Sequence, residues 1–215
     1  MTRVPDAGLS RLALAVLVAG LGILLVAVVW GGAVYPDYDQ ARQFMSELGA
    51  TGAVTGPTVN AWGYIPNGAL VTVFCLLAAW ILRSSALAVV ACLLLALNGV
   101  GMTAAGVYPC DFECGRSDPS PAAGLHDLSS GLGYLCGIVG VGLAALWARK
   151  SDAPWLAPLG LATLIVSVAG LFAVIAEVEL AGLYQRAMEA ALGVFMLALG
   201  WALTRGLRGR PAARL

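Results

Sequence analysis

Charge is scarce in this chain. Only 11% of its 215 residues are Asp, Glu, Lys or Arg, against about a quarter in a soluble domain. Hydrophobic residues make up 60% and the mean hydropathy is +0.87. That leaves too little polar surface to cover a water-facing fold, and lipid is the natural solvent. Lysine is nearly missing: Lys150 is the only one among twelve basic residues. It falls in no apolar run, which argues against a retinal or pyridoxal Schiff base. His126 is the single histidine, so haem or di-metal sites built on a histidine pair are excluded. No Walker motif, no G-x-G-x-x-G after a strand and no basic patch for nucleic acid occurs. No cofactor and no metal are expected.

What the chain does have is long apolar runs. A membrane-crossing helix needs about 20 of these residues. Six segments qualify, at about 12–34, 62–82, 86–107, 125–148, 155–175 and 184–203. Backbone in lipid must satisfy its own hydrogen bonds, so the segments are expected to be helices. The alternating pattern of a membrane barrel is absent. The fold class is therefore all-α: a single polytopic domain over 1–215, six transmembrane helices in an antiparallel bundle. The first run is longer than the core of a signal peptide and no small-residue cleavage site follows it, so it reads as a retained span.

The distribution of basic residues orients the bundle. Arg3, Arg11, Arg83, Arg149, Lys150, Arg205, Arg208, Arg210 and Arg214 fall on one side, while only Arg42, Arg116 and Arg186 fall on the other. The positive-inside rule places the first group, with both termini, in the cytoplasm. This predicts a multi-pass protein of the cytoplasmic (inner) membrane. The outer loops are then about 35–61, 108–124 and 176–183, and they carry most of the acid. The inner links are only a few residues long, which forces neighbouring helices to pack antiparallel.

The outer segments hold the residues able to do chemistry. Cys110 and Cys114 are spaced C-x3-C in an outer loop. Three readings stay open for them: a local disulfide, thiolate ligands to a metal with His126 and Asp111, or free thiols. His126 and Asp127 open the fourth span; His126 and Ser130 share a helix face. These two are either interface residues complementing a helix end, or a base and its partner at the outer mouth. Glu189 lies about a turn inside the last span, three residues after Arg186, and pairing of the two is expected. In the first loop, Phe44, Met45 and Leu48 form one apolar face, which predicts a short interfacial helix ended by Gly49. Ser46 and Glu47 would sit over the bundle mouth. A Ser46 nucleophile would need His126 as its base, and no G-x-S-x-G elbow frames it. Asn67 and Asn98 read as polar glue between spans.

SELGA at 46–50, the YPCD…C…H-D stretch from Tyr108 to Asp127 and the G-x-x-Q-R start of the last span, Gly182 to Arg186, resemble a family of six-helix prokaryotic membrane proteins, domain of unknown function 998. The first-loop motif is also distantly similar to DRAM-like six-helix proteins. Neither resemblance brings an activity. They imply that the outer loops and the outer ends of spans four and six make one composite surface. The expected pocket has walls of Ser46, Glu47, His126, Asp127, Gln185, Arg186 and Glu189. The leading reading is a non-enzymatic protein that binds membrane lipid or a small amphiphile there, or a subunit of a homo-oligomer or larger membrane complex. The runner-up is an intramembrane enzyme on a lipid head group, with His126 as base and Asp127, Glu189 or Ser46 assisting. A small-solute transporter is third.

Overall fold

The structure, a computed structural model, describes residues 7–207. Arg3, Arg208, Arg210 and Arg214, used above for orientation, lie outside that range. Among the described residues there are six helices long and apolar enough to cross a membrane. We label them α1 (Ala7–Val34), α2 (Gly56–Ile81), α3 (Ala86–Val107), α4 (Pro121–Ala148), α5 (Leu156–Ile175) and α6 (Ala181–Thr204). No strand is present among the described residues. The protein is an all-α, multi-pass membrane protein.

Hydropathy placed the spans but misplaced three helix starts. α1 begins five residues early, α2 six and α4 four. In α2 and α4 the extra turn opens on proline: Pro57 and Pro121 sit in the first turn, where the missing N–H has no partner to lose. The Ser120 hydroxyl caps α4 by accepting from Ala123 N at 3.2 Å. The first and second outer loops are thus shorter than expected. Within α2, residues Asn60–Tyr64 form one π-helical turn, a local widening frequent at functional sites.

Each helix packs on its neighbours in sequence, and α6 packs back on α1, so the bundle closes into a ring. Links of a few residues join α2 to α3 and α4 to α5 at one end, the short-link face. Glycine lets α2, α3 and α4 meet backbone to backbone. A Cβ on Gly68 would strike Gly99 O of α3, and one on Gly101 would lie 2.7 Å from Ser129 O of α4. Close approach of this kind is the usual basis of helix association in lipid. Asn67 donates to Gly20 O of α1 at 3.0 Å and Asn98 to Gly133 O of α4 at 3.3 Å, so both join spans as expected.

The main core fills the half of the ring nearest the short-link face, around Leu17, Phe74, Leu95, Phe195 and Leu199. A second cluster at the other end, the loop face, joins Leu24 and Val28 of α1 to Met45, Leu48, Val59 and Tyr64. The outward faces of the helices are apolar, with Leu25, Val26, Ile165 and Phe172 well exposed. Aromatic side chains stand at both rims. Arg83 and Arg205 lie over Trp80 and Trp201 on the short-link face, as in an interfacial belt.

Candidate functional site

Loop 35–55 folds first on itself. Asp39 Oδ1 accepts from Ala41 N at 2.8 Å. Glu47 reaches back to accept from Phe44 N at 2.8 Å and from Gln43 Nε2 at 2.7 Å. This capping ties residues 43–47 into a 3-10 turn, Met45–Gly49. The turn does not lie flat on the interface as expected. Met45, Glu47 and Leu48 are buried, and the turn plugs the mouth of the ring between α1, α2 and α6. The reason is that its apolar face finds protein rather than lipid: the gap left by the shortened core is where Leu48 packs against Val28 and Val59.

Two helices hold the plug. From α2, Asn60 Nδ2 donates to Gly49 O at 2.7 Å and Tyr64 Oη donates to Met45 O. Gly49 has no room for a side chain, since a Cβ there would collide with Asn60 Oδ1. From α6, Gln185 Oε1 accepts from Met45 N at 2.6 Å. The opening amides of α6, which lack helical partners, donate to loop carbonyls: Gly182 N to Arg42 O at 3.2 Å and Leu183 N to Ala41 O at 2.8 Å. Arg186 completes the attachment. It donates to Gln43 O and to Gly182 O, both at 3.0 Å, and to Tyr38 Oη at 2.6 Å. Tyr38 Oη donates in turn to Phe44 O at 2.7 Å; burial pushes its pKa up to about 12 against the pull of Arg186, so it remains a donor.

This corrects one expectation. Arg186 and Glu189 do not pair. The side chain of a helical residue leans toward the helix N-terminus, and a long one near the membrane rim reaches for the wet end. Arg186 therefore rises into the loop, while Glu189 turns inward and accepts from Tyr134 Oη of α4 at 2.6 Å.

The second loop roofs the same region. Cys110 and Cys114 form a disulfide, with Cα atoms 5.0 Å apart, which removes both sulfurs from any thiolate ligand set. Thr51 N donates to Cys110 O at 2.8 Å, and the Ser46 hydroxyl lies 3.3 Å from Cys114 Sγ. A disulfide sulfur carries no hydrogen, so Ser46 is the donor, and it is aimed at the roof rather than at His126. The third loop ties in through exposed ion pairs, Arg42–Glu179 at 2.9 Å and Arg116–Glu177 at 3.0 Å, each worth about 0–1 kcal/mol. Asp37, Glu113, Cys114, Asp118 and Glu177 all have left-handed φ, and all five lie on this face.

His126 is buried where α4 passes the end of α3. Its Nδ1 lies 3.1 Å from Ala105 O and 2.9 Å from Tyr108 O. Carbonyls only accept, so Nδ1 carries the proton, and in the neutral ring Nε2 is an acceptor. The histidine caps the terminal carbonyls of α3.

Beneath plug and roof is a cavity of about 370 Å³. Ser46, His126, Asp127, Gln185 and Glu189 line it; Glu47 and Arg186 do not, being spent on the plug. Tyr64, Asn98, Arg116 and Tyr134 also line it, and sequence reading did not assign them to the pocket. Tyr134 was findable: His126, Ser130 and Tyr134 step by four along one helix face. Leu135 of α4 and Ile175 of α5 line the cavity and are 51% and 59% exposed on the outside of the ring. The cavity therefore opens sideways, between α4 and α5. Among the described residues no group of three or more His, Cys, Asp or Glu is placed to hold a metal ion.

A family model described as "Protein of unknown function (DUF998)" matches residues 18–202. The chain belongs to that family. The match runs from the middle of α1 to the end of α6, so the DUF998 region contains the whole plug, roof and cavity. No curated protein and no solved structure matches this DUF998 chain.

Proposed function

We propose that this DUF998 protein binds a single-headed amphiphile, its head group in the cavity and its tail leaving between α4 and α5 into the bilayer. One observation carries the reading: the cavity is polar at its inner end, at His126, Tyr134, Gln185 and Glu189, and apolar at its exposed edge, at Leu135 and Ile175. Its volume lies at the lower end of the range for small-molecule sites, about 300–1,000 Å³, which suits a head group and first methylenes rather than a whole two-tailed lipid. The basic short-link face, with Arg11, Arg83, Arg149, Lys150 and Arg205, supports a cytoplasmic location for both termini, which turns the cavity outward from the cytoplasmic membrane. Membrane lipid is the partner in this reading.

Gly131 supplies the test. It lines the cavity on the helix face of Leu135, and a Cβ there meets nothing within 4 Å, so Gly131→Phe puts a large side chain at the lateral opening without a backbone collision. Native mass spectrometry of protein extracted from membranes should show one small amphiphile bound to the wild type and none to the variant. Equal occupancy in both refutes the site. Recovery of a chemically altered amphiphile after incubation would favour the enzyme reading, with His126 as base.

A further inference from the structure

We propose that the head group is cationic, a primary ammonium, and that Glu189 is its counter-ion. This rests on the amphiphile reading above and narrows it to one chemical class. Glu189 sits two turns inside α6, about 12 Å along the helix from its start at 1.5 Å per residue. It accepts from Tyr134 Oη through Oε1, and among the described residues it takes part in no ion pair. A carboxylate at that depth is costly unless a cation or donor meets it, and such groups face a cavity or partner one another. The nearest cation along its helix, Arg186, is turned to the plug and holds Gln43 O, Gly182 O and Tyr38 Oη. The fold thus removes the cation that the sequence spacing offers and leaves the carboxylate lining open space.

The rest of the lining agrees. Asp127, at the rim, is the other acid on the cavity wall. Arg116 is the one cation lining it among the described residues, and it is paired with Glu177, its side chain 44% exposed. His126 has its proton fixed on Nδ1 by two carbonyls, so in the neutral ring its other nitrogen accepts. Tyr64, Tyr134 and Phe44 add aromatic surface, which attracts ammonium groups through the ring quadrupole. A phosphate or carboxylate head would meet Glu189 with like charge; an ammonium brings its donors to the carboxylates of Glu189 and Asp127.

The experiment uses the full-length protein in nanodiscs of phosphatidylcholine, with dodecylamine, dodecanol and dodecanoate as probes of equal chain length. At pH 7 the amine is protonated and the acid ionised. Specific binding is the wild-type signal minus that of Gly131→Phe. Dodecylamine should bind tighter than dodecanol by about tenfold or more, the scale of one charge-assisted hydrogen bond, and dodecanoate weaker than both. Glu189→Gln, which keeps an acceptor for Tyr134, should bring dodecylamine down to the level of dodecanol. Glu189→Asp, which keeps the charge, should retain the preference and so guards against a folding artefact. Equal binding of amine and alcohol, or an amine preference that survives Glu189→Gln, overturns the ammonium assignment while the amphiphile reading stands. Tighter binding of dodecanoate overturns it too. If no probe binds in a way that Gly131→Phe abolishes, both proposals fall.

Discussion

Replacing Arg186 with methionine should free the plug from α6, and replacing Glu189 should not. Arg186 makes three hydrogen bonds, to Gln43 O, Gly182 O and Tyr38 Oη, and lies over the Tyr38 ring at 5.6 Å. Methionine keeps the apolar stem and removes every donor. Hydrogen bonds from a charged group contribute about 1.5–3 kcal/mol each. The lower end or less applies here, because Arg186 is only part-buried and the loop carbonyls regain water once released. Gly182 O belongs to α6 itself, so two of these bonds reach the loop, and about 1 kcal/mol for each gives about 2 kcal/mol. At about 1.4 kcal/mol per factor of ten, local opening becomes about thirtyfold more frequent. The assay is hydrogen exchange in detergent micelles, read at the amides of Phe44 and Glu47, which are bonded inside the plug, and of Met45, which is bonded to Gln185 of α6. Those amides should lose about one and a half decades of protection, while amides in the middle of α3 keep theirs. A double-mutant cycle separates this account from an Arg186–Glu189 pair. Arg186 should couple to Tyr38→Phe and be additive with Glu189→Gln. Coupling to Glu189 with none to Tyr38 would refute the geometry.

Three further perturbations follow from the same face. Gly182→Ala puts a Cβ into Gln43 O and should break the two amide bonds from α6 to the loop, at about 1 kcal/mol each; thermal unfolding in detergent should fall, and unchanged stability would sink the close-approach argument. Burial raises the Glu47 pKa above its ordinary 4.5, outweighing the bonds from Gln43 and Phe44, with Glu113 adding to the rise and Arg186 opposing it. The folded state then holds that proton to higher pH than the unfolded chain, so this group's contribution to stability falls as pH rises from about 4.5 through the raised value. The wild type minus Glu47→Gln difference, followed by unfolding from pH 4 to pH 7, should show that fall; a rise would be the wrong sign. Cys110→Ser with Cys114→Ser opens a short loop, worth about 2 kcal/mol in the chain-entropy model. Exchange at Thr51, bonded to Cys110 O, should quicken while the six spans hold.

The six spans were legible because lipid imposes one rule on every helix, and that rule writes itself as runs of about 20 apolar residues. Where helices begin was less legible. Hydropathy marks where the membrane starts, not where the backbone starts to coil, and α2 and α4 coil a turn or more earlier, at Gly56 and Pro121. Proline near a span reads as a loop signal, yet in the first turn it is the favoured opening residue. The roles of Asn67 and Asn98 were legible for a simpler reason: an amide in lipid must find a partner, and the nearest are the carbonyls of neighbouring helices.

The candidate site shows where sequence reasoning stops. Gln185, Arg186 and Glu189 lie within five residues on one helix, and spacing alone made Arg186 and Glu189 a pair. What decides otherwise is vertical position. Arg186, nearer the rim, has loop carbonyls within reach that Glu189, a turn deeper, does not. The G-x-x-Q-R stretch is thus an attachment device: Gly182 clears space for the loop backbone, Gln185 takes Met45 N, and Arg186 takes Gln43 O. Spending the arginine on the plug is what leaves Glu189 without a cation at the cavity wall. The same short motif both closes the mouth of the ring and sets the charge inside it, so a change at Arg186 should alter access to the cavity as well as loop stability.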